Sequence, residues 1–208
     1  MVRLICMVSK VEKEVESLLL EDVSSVKKVV IGGEGGVGKT SLFRYLKNEA
    51  GSLDLSITIG VEFHVLNVSL PSGRSVKLQV WDLAGQDQFK SMCIYSEFFA
   101  GSRIFILVFD ITDTKTFTSL SWWLENVYQN SKEKNVPIIV VGNKMDLKEE
   151  KTVFEKDVEA FKKRTGKHFP YIEVSAKTGK NIDTLFKELL NILDQQTAWL
   201  EERMIASS

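Results

Sequence analysis

The chain has 208 residues, 44% of them apolar and 26% charged, with a formal net charge of −1. These values suit one soluble globular domain with extensions and argue against an electrostatic grip on nucleic acid or anionic lipid. Apolar runs stay too short to cross a bilayer, and Cys6 and Cys93, far apart in the chain, make no metal-ligand spacing, so an intracellular protein with free thiols is expected.

Residues 1–24 form an extension. Leu4, Val8, Val11, Val15 and Leu18 recur at spacings of four and three, with Glu12, Lys13, Glu14 and Glu16 off that seam, which predicts an amphipathic helix. Its acidic, β-branched character favours docking on protein, first on this chain's own domain, over self-association or membrane insertion. The domain itself covers residues 25–194. Val26–Gly32 reads as a buried strand, and a helix follows from Gly38 to about Asn48, with Leu42, Tyr45 and Leu46 on one face. Asn48–Ile57 reads as loop. Gly60–Leu70 and Ser75–Asp82 read as an antiparallel hairpin closed by Pro71-Ser72-Gly73. Arg103–Asp110, Pro137–Gly142 and His168–Val174 read as further strands.

Helical patterns separate those strands. Phe117, Leu120, Leu124 and Val127 keep helical spacing. Thr152 and Glu155 suggest a capping box before Val158 and Phe161, with Gly166 as the stop. Asn181 is placed to cap a helix carrying Ile182, Leu185, Phe186, Leu189, Leu190 and Leu193, and residues 195–208 form its end and a tail. Strands alternating with helices predict a mostly parallel sheet covered on both faces, with ligands at the carboxyl ends of the strands.

The stretch GGEGGVGKTS, residues 32–41, holds five of the chain's 13 glycines. Gly33-x-x-x-x-Gly38-Lys39-Thr40 matches a phosphate-binding loop, set between a predicted strand and a predicted helix. A polyphosphate needs backbone N–H groups converging from a tight loop, so Gly33, Gly35, Gly36, Val37 and Gly38 stand as its cradle. Lys39 supplies a point charge to the outer phosphates, the Thr40 hydroxyl suits Mg²⁺, and Ser41 completes the loop.

Asn143-Lys144-Met145-Asp146 selects the base. The Asp146 carboxylate, beyond a strand's carboxyl end, can accept from guanine N1–H and the exocyclic amine; adenine has no such donor pair and would leave it unpaired.

GEGGVGKT, TIGVEF, WDLAGQ, NKMD and SAK, in that order from Val26 to Leu193, resemble the Ras superfamily of small GTPases, most closely its Rab branch. The resemblance implies a three-layer α/β fold of the P-loop type: a six-stranded, mostly parallel sheet with one antiparallel edge strand and five helices. It implies a Mg²⁺-dependent GTP hydrolase that cycles between GDP and GTP states differing in two switch loops. Thr58 resembles the first-switch threonine that binds Mg²⁺, and Asp82 the aspartate that holds the ion through water. Gly85 would give its N–H to the γ-phosphate, and Gln86 would orient the attacking water, so Gln86, Lys39 and Gly85 are the catalytic candidates. Asn143 would tie base loop to phosphate loop, and the Lys144 stem would cover the base. Ser175 and Lys177 would support the base site, and the Ala176 N–H would face guanine O6. Trp81, Phe63 and Phe98 form either an aromatic surface for effectors or part of the core.

The chain departs from that pattern in several places. Leu83 and Asp87 stand in DLAGQD where the family usually has DTAGQE, the stretch after Gln86 is about two residues longer, and NEAGSLDLS lacks an aromatic. Residues 48–58 hold no arginine, so slow intrinsic turnover raised by an activating protein is expected, with an exchange factor and effector also acting at the switches. A cysteine for prenylation is missing after Cys93 and glycine is missing at position 2, so a monomeric cytoplasmic protein without a stable lipid anchor is expected, recruited to membranes only by a partner. The competing reading is a pseudo-GTPase, a scaffold that holds nucleotide without turning it over.

Overall fold

The computed structural model describes residues 26–50, 52–55, 61–83, 98–131 and 136–206. The extension, Thr58, Gly85, Gln86 and the lengthened stretch after Gln86 lie outside the described residues.

The most apolar runs make the middle of the sheet. Strand β1 (Val26–Gly32) is buried on both faces, as a central parallel strand must be, with Val29, Val30 and Ile31 fully covered. Strands β5 (Ser102–Asp110) and β6 (Ile138–Asn143) have the same character. With β2 (Ser52–Leu55), β3 (Val61–Ser69), β4 (Ser75–Leu83) and β7 (Tyr171–Glu173) they form a seven-stranded sheet, ordered β2-β3-β4-β1-β5-β6-β7. β4, β1, β5, β6 and β7 are mutually parallel; β3 runs antiparallel to β4, and β2 to β3.

Among the described residues all six expected strands and five α-helices are present, and one short strand is added. That strand, β2, lies in the stretch read as loop, and it makes the edge of the sheet, so β3 is interior. Four residues carry too little alternation to announce a strand. β2 exists because its backbone pairs with Phe63–Leu66, a partner supplied only by the fold.

Helices α1 (Lys39–Ala50) and α5 (Ile182–Ala206) cover one face, where Leu42, Phe43, Leu46, Leu185, Leu189 and Leu193 meet Val29 and Ile31. Helices α2 (Thr114–Thr118), α3 (Leu120–Asn130) and α4 (Glu155–Thr165) belong to the other, where Trp123, Val158 and Phe161 join a cluster with Val30, Phe105 and Leu107. Among the described residues no helix is long and apolar enough to cross a membrane. Trp81 and Phe98 are 3% and 8% exposed, with ring centroids 5.9 Å apart, so these two members of the aromatic trio are core residues here; the Phe63 side chain lies outside the described set.

Two caps differ from expectation. α4 begins at Glu155, and its cap is the Phe154 N–H donating to the Asp157 carboxylate at 2.9 Å. Thr152 instead makes a long 3.5 Å bond to the Ile111 carbonyl, because residues 152–153 are tied across to the end of β5. Asn181 does precede α5, but its amide donates to the Glu173 carbonyl at 2.8 Å and so anchors the helix start to β7. Gly166 ends α4 in the left-handed conformation, as expected. The last strand is shorter than its sequence pattern, since only Tyr171–Glu173 pair with β6.

Candidate functional site: the loops at the carboxyl ends of the strands

Among the described residues, four loops converge where the parallel strands end. The first joins β1 to α1. Its glycines answer to the protein as well as to a ligand. Gly33 has φ +140°, and a Cβ there would lie 2.1 Å from the Val108 carbonyl oxygen of β5. Gly38 has φ +93°, and a Cβ there would lie 2.4 Å from the Asn143 amide nitrogen. Gly33→Ala is therefore expected to destabilise the fold by at least about 3 kcal/mol, through backbone collision and an unfavourable φ. Urea unfolding checks this, and an unchanged midpoint contradicts it.

Lys39 is buried at the start of α1, and its ammonium donates to the carbonyls of Gly33 (2.9 Å) and Glu34 (2.7 Å). Burial pushes its pKa down, opposed by the charges of Asp82 and Glu34. Next along the helix, the Thr40 hydroxyl donates to the Asp82 carboxylate at 2.5 Å. Asp82, near the end of β4, is 4% exposed. A hydroxyl and a carboxylate meeting beside a phosphate-type loop are hard oxygen donors of the kind Mg²⁺ accepts. Ser41 is exposed, as are Gly35 and Gly36, while Val37 is buried.

Asn143 ends β6 and is the hub of the site. Its amide donates to the Val37 carbonyl at 2.7 Å, and its side-chain oxygen accepts from the Ala176 N–H at 2.9 Å. One buried side chain thus joins the phosphate-type loop to the loop after β7. The Ala176 N–H, expected to face a guanine oxygen, donates to the Asn143 side chain here.

Lys144 follows with φ +69°, and its ammonium lies 2.5 Å from the Asp110 carboxylate. Asp110 ends β5 directly beside Asn143 in register. Burial opposes its ionisation, yet the Lys144 ammonium and the N–H and hydroxyl of Thr112 together hold its carboxyl below the usual carboxylate range. A 3₁₀ turn (Met145–Glu150) then carries Asp146, which accepts from the Ser175 hydroxyl at 2.6 Å and lies 3.9 Å from the exposed Lys177 ammonium. Ser175 is fully buried, and its hydroxyl accepts from the Thr178 N–H.

The structure brings Lys39, Thr40, Asp82, Asn143, Lys144, Asp146, Ser175, Ala176 and Lys177 to one end of the sheet. Two residues at this end were not singled out in the sequence. Asp110 had a signal, a carboxylate closing an apolar strand on the ligand side. Tyr45 had only its place on the inner face of the first helix: its hydroxyl donates to the Lys177 carbonyl at 3.2 Å and its ring packs on Gly179, joining α1 to the last loop.

Comparison with known proteins agrees with this arrangement. Residues 28–195 match the model of the Ras family. Ras-related protein Rab-9A of Rattus norvegicus is 40% identical over 170 residues, covering 79% of this chain and 81% of that protein. Ras-related protein SEC4 of Saccharomyces cerevisiae is 33% identical over 172 residues, covering 83% and 77%. Ras-related protein Rab-30 of Homo sapiens is 36% identical over 170 residues, covering 82% and 81%. With a family match that reaches all seven strands and takes in the ligand-side loops, this chain belongs to the Ras family, among its Rab-like small GTPases.

Proposed function

We propose that the chain is a Mg²⁺-dependent molecular switch that binds GTP, hydrolyses it to GDP and differs between the two states in its switch loops. The observation that carries this reading is the Asn143 carboxamide, bonded at once to Val37 of the phosphate loop and Ala176 of the base loop. That link makes phosphate and base recognition one rigid unit, which a nucleotide spanning both would exploit.

In this reading Lys39 turns its ammonium from the loop carbonyls to the outer phosphates, and the N–H groups from Gly33 to Thr40 cradle them. Asp146 accepts from guanine, supported by Ser175 and Lys177. Thr40, Thr58 and Asp82 would hold Mg²⁺, which when bound offsets phosphate charge. Gly85 would donate to the γ-phosphate and Gln86 would orient water. An activating protein, an exchange factor and an effector would act at the switches, on a monomer recruited from the cytoplasm to a membrane by a partner. Identification of the nucleotide that co-purifies tests the reading: GDP or GTP supports it, and an adenine nucleotide overturns it.

Gln86→Leu should leave GDP and GTP affinity within about twofold and abolish most of the turnover stimulated by an activating protein. Ras-type GTPases turn over alone at about 10⁻⁴ s⁻¹, and an arginine supplied in trans raises that rate roughly 10³–10⁵-fold. Single-turnover release of phosphate measures both. Fast turnover by the purified protein, unaffected by the substitution, would count against this mechanism. Tight GTP binding with no turnover under any condition would identify a pseudo-GTPase.

A further inference from the structure

We propose that Asp110 is a positioning residue for the nucleotide base, acting through Lys144. The inference rests on the guanine-nucleotide reading above and adds a residue to it. The Asp110 carboxylate is itself fixed before Lys144 reaches it. One oxygen accepts from the Thr112 N–H at 2.9 Å and the Thr112 hydroxyl at 2.7 Å, so the turn after β5 sets its orientation. The other oxygen is left facing the Lys144 ammonium at 2.5 Å. A backbone bond from the Ile111 N–H to the Asn143 carbonyl, 3.1 Å, holds the two strand ends together around this pair.

The geometry matters because lysine is a poor shelf unless something holds it. Its four-carbon stem has about 2 kcal/mol of rotamer entropy, and a ligand that packs against a free stem must supply that ordering. Lys144 follows the last residue of β6 in a left-handed conformation, and its side chain reaches back to the carboxylate that ends β5. With the ammonium anchored on a buried carboxylate of the neighbouring strand, the methylenes are ordered before the base arrives. Pre-ordering of this kind slows ligand release without adding a direct contact to the ligand.

The test follows release of a fluorescent GDP analogue from the full chain. Asp110→Asn keeps the size of the side chain and an acceptor for Thr112 but removes the charge. It should speed release about tenfold, the scale of one hydrogen bond to a charged group. Lys144→Met should do the same, and the double variant should release no faster than Lys144→Met alone, because Asp110 acts only through the lysine. Affinity for inorganic tripolyphosphate, which has no base, should stay at the wild-type value in Asp110→Asn. Unchanged GDP release in Asp110→Asn, multiplying effects in the double variant, or an equal loss of GDP and tripolyphosphate would each overturn the assignment. A wild-type chain that holds tripolyphosphate but no guanine nucleotide would overturn the function on which it rests as well.

Discussion

Asp146→Asn is expected to lower GTP affinity by about 10²–10⁴-fold and to raise affinity for xanthosine triphosphate. Each guanine N–H loses a charged acceptor, worth about 1.5–3 kcal/mol, and one faces a donor instead. The direction of the change depends on Ser175. Its hydroxyl donates to one oxygen of the wild-type carboxylate at 2.6 Å. In the variant that bond is kept only if the new carboxamide oxygen takes the same position, which turns its NH₂ outward. Xanthine carries a carbonyl where guanine has its amine, so the outward NH₂ finds an acceptor. The Asp146 side chain is only 15% exposed, which limits replacement of the lost bonds by water. Titration of both nucleotides against both proteins measures the exchange, and unchanged GTP affinity would remove Asp146 from base recognition.

Lys39→Met should abolish nucleotide retention while leaving the nucleotide-free protein folded. Two hydrogen bonds from an ammonium to phosphate oxygens account for a loss of about 10²–10⁴-fold in affinity. The stability argument has the opposite sign. Burial holds the folded pKa of Lys39 below the ordinary lysine value. A lysine with a depressed folded pKa gives a stability contribution that is present above the unfolded value, near pH 10.4, and is lost as pH falls through the folded value. At neutral pH its buried charge therefore opposes folding of the empty protein. The stripped Lys39→Met variant should melt at the same temperature as stripped wild type or higher at pH 7, and any advantage should shrink as pH approaches about 10. Adding nucleotide at 100 times its dissociation constant should stabilise the wild type by about 2.7 kcal/mol and leave the variant unmoved. A stripped variant that melts well below wild type at pH 7 would show that the lysine is a structural strut of its own loop.

Much of this was legible in the chain because the chemistry is written in contiguous stretches. The phosphate loop must be a tight turn between a strand and a helix, so its glycines, lysine and threonine stand within eight residues. NKMD is likewise one turn at one strand end. β1, β5 and β6 were legible because strands covered on both faces need uninterrupted apolar runs, and the hairpin of β3 and β4 because Pro71-Ser72-Gly73 dictates a local reversal.

What only the tertiary structure decided are the contacts between stretches. β2 exists through pairing with β3, the start of α4 was moved by ties from residues 152–153 to Ile111, and the Asn181 side chain found the Glu173 carbonyl of β7 while its own carbonyl accepts from Leu185 of α5. The site follows the same division. Residue types and base preference were read from motifs, but the bond from Asn143 to Val37 spans 106 positions, that from Thr40 to Asp82 spans 42, and Asp110 meets Lys144 only because β5 and β6 end side by side. A local pattern records which groups a short loop requires. It carries no record of which strand end lies next to it, and that adjacency, set by sheet order and register, is what turned separate motifs into one bonded site.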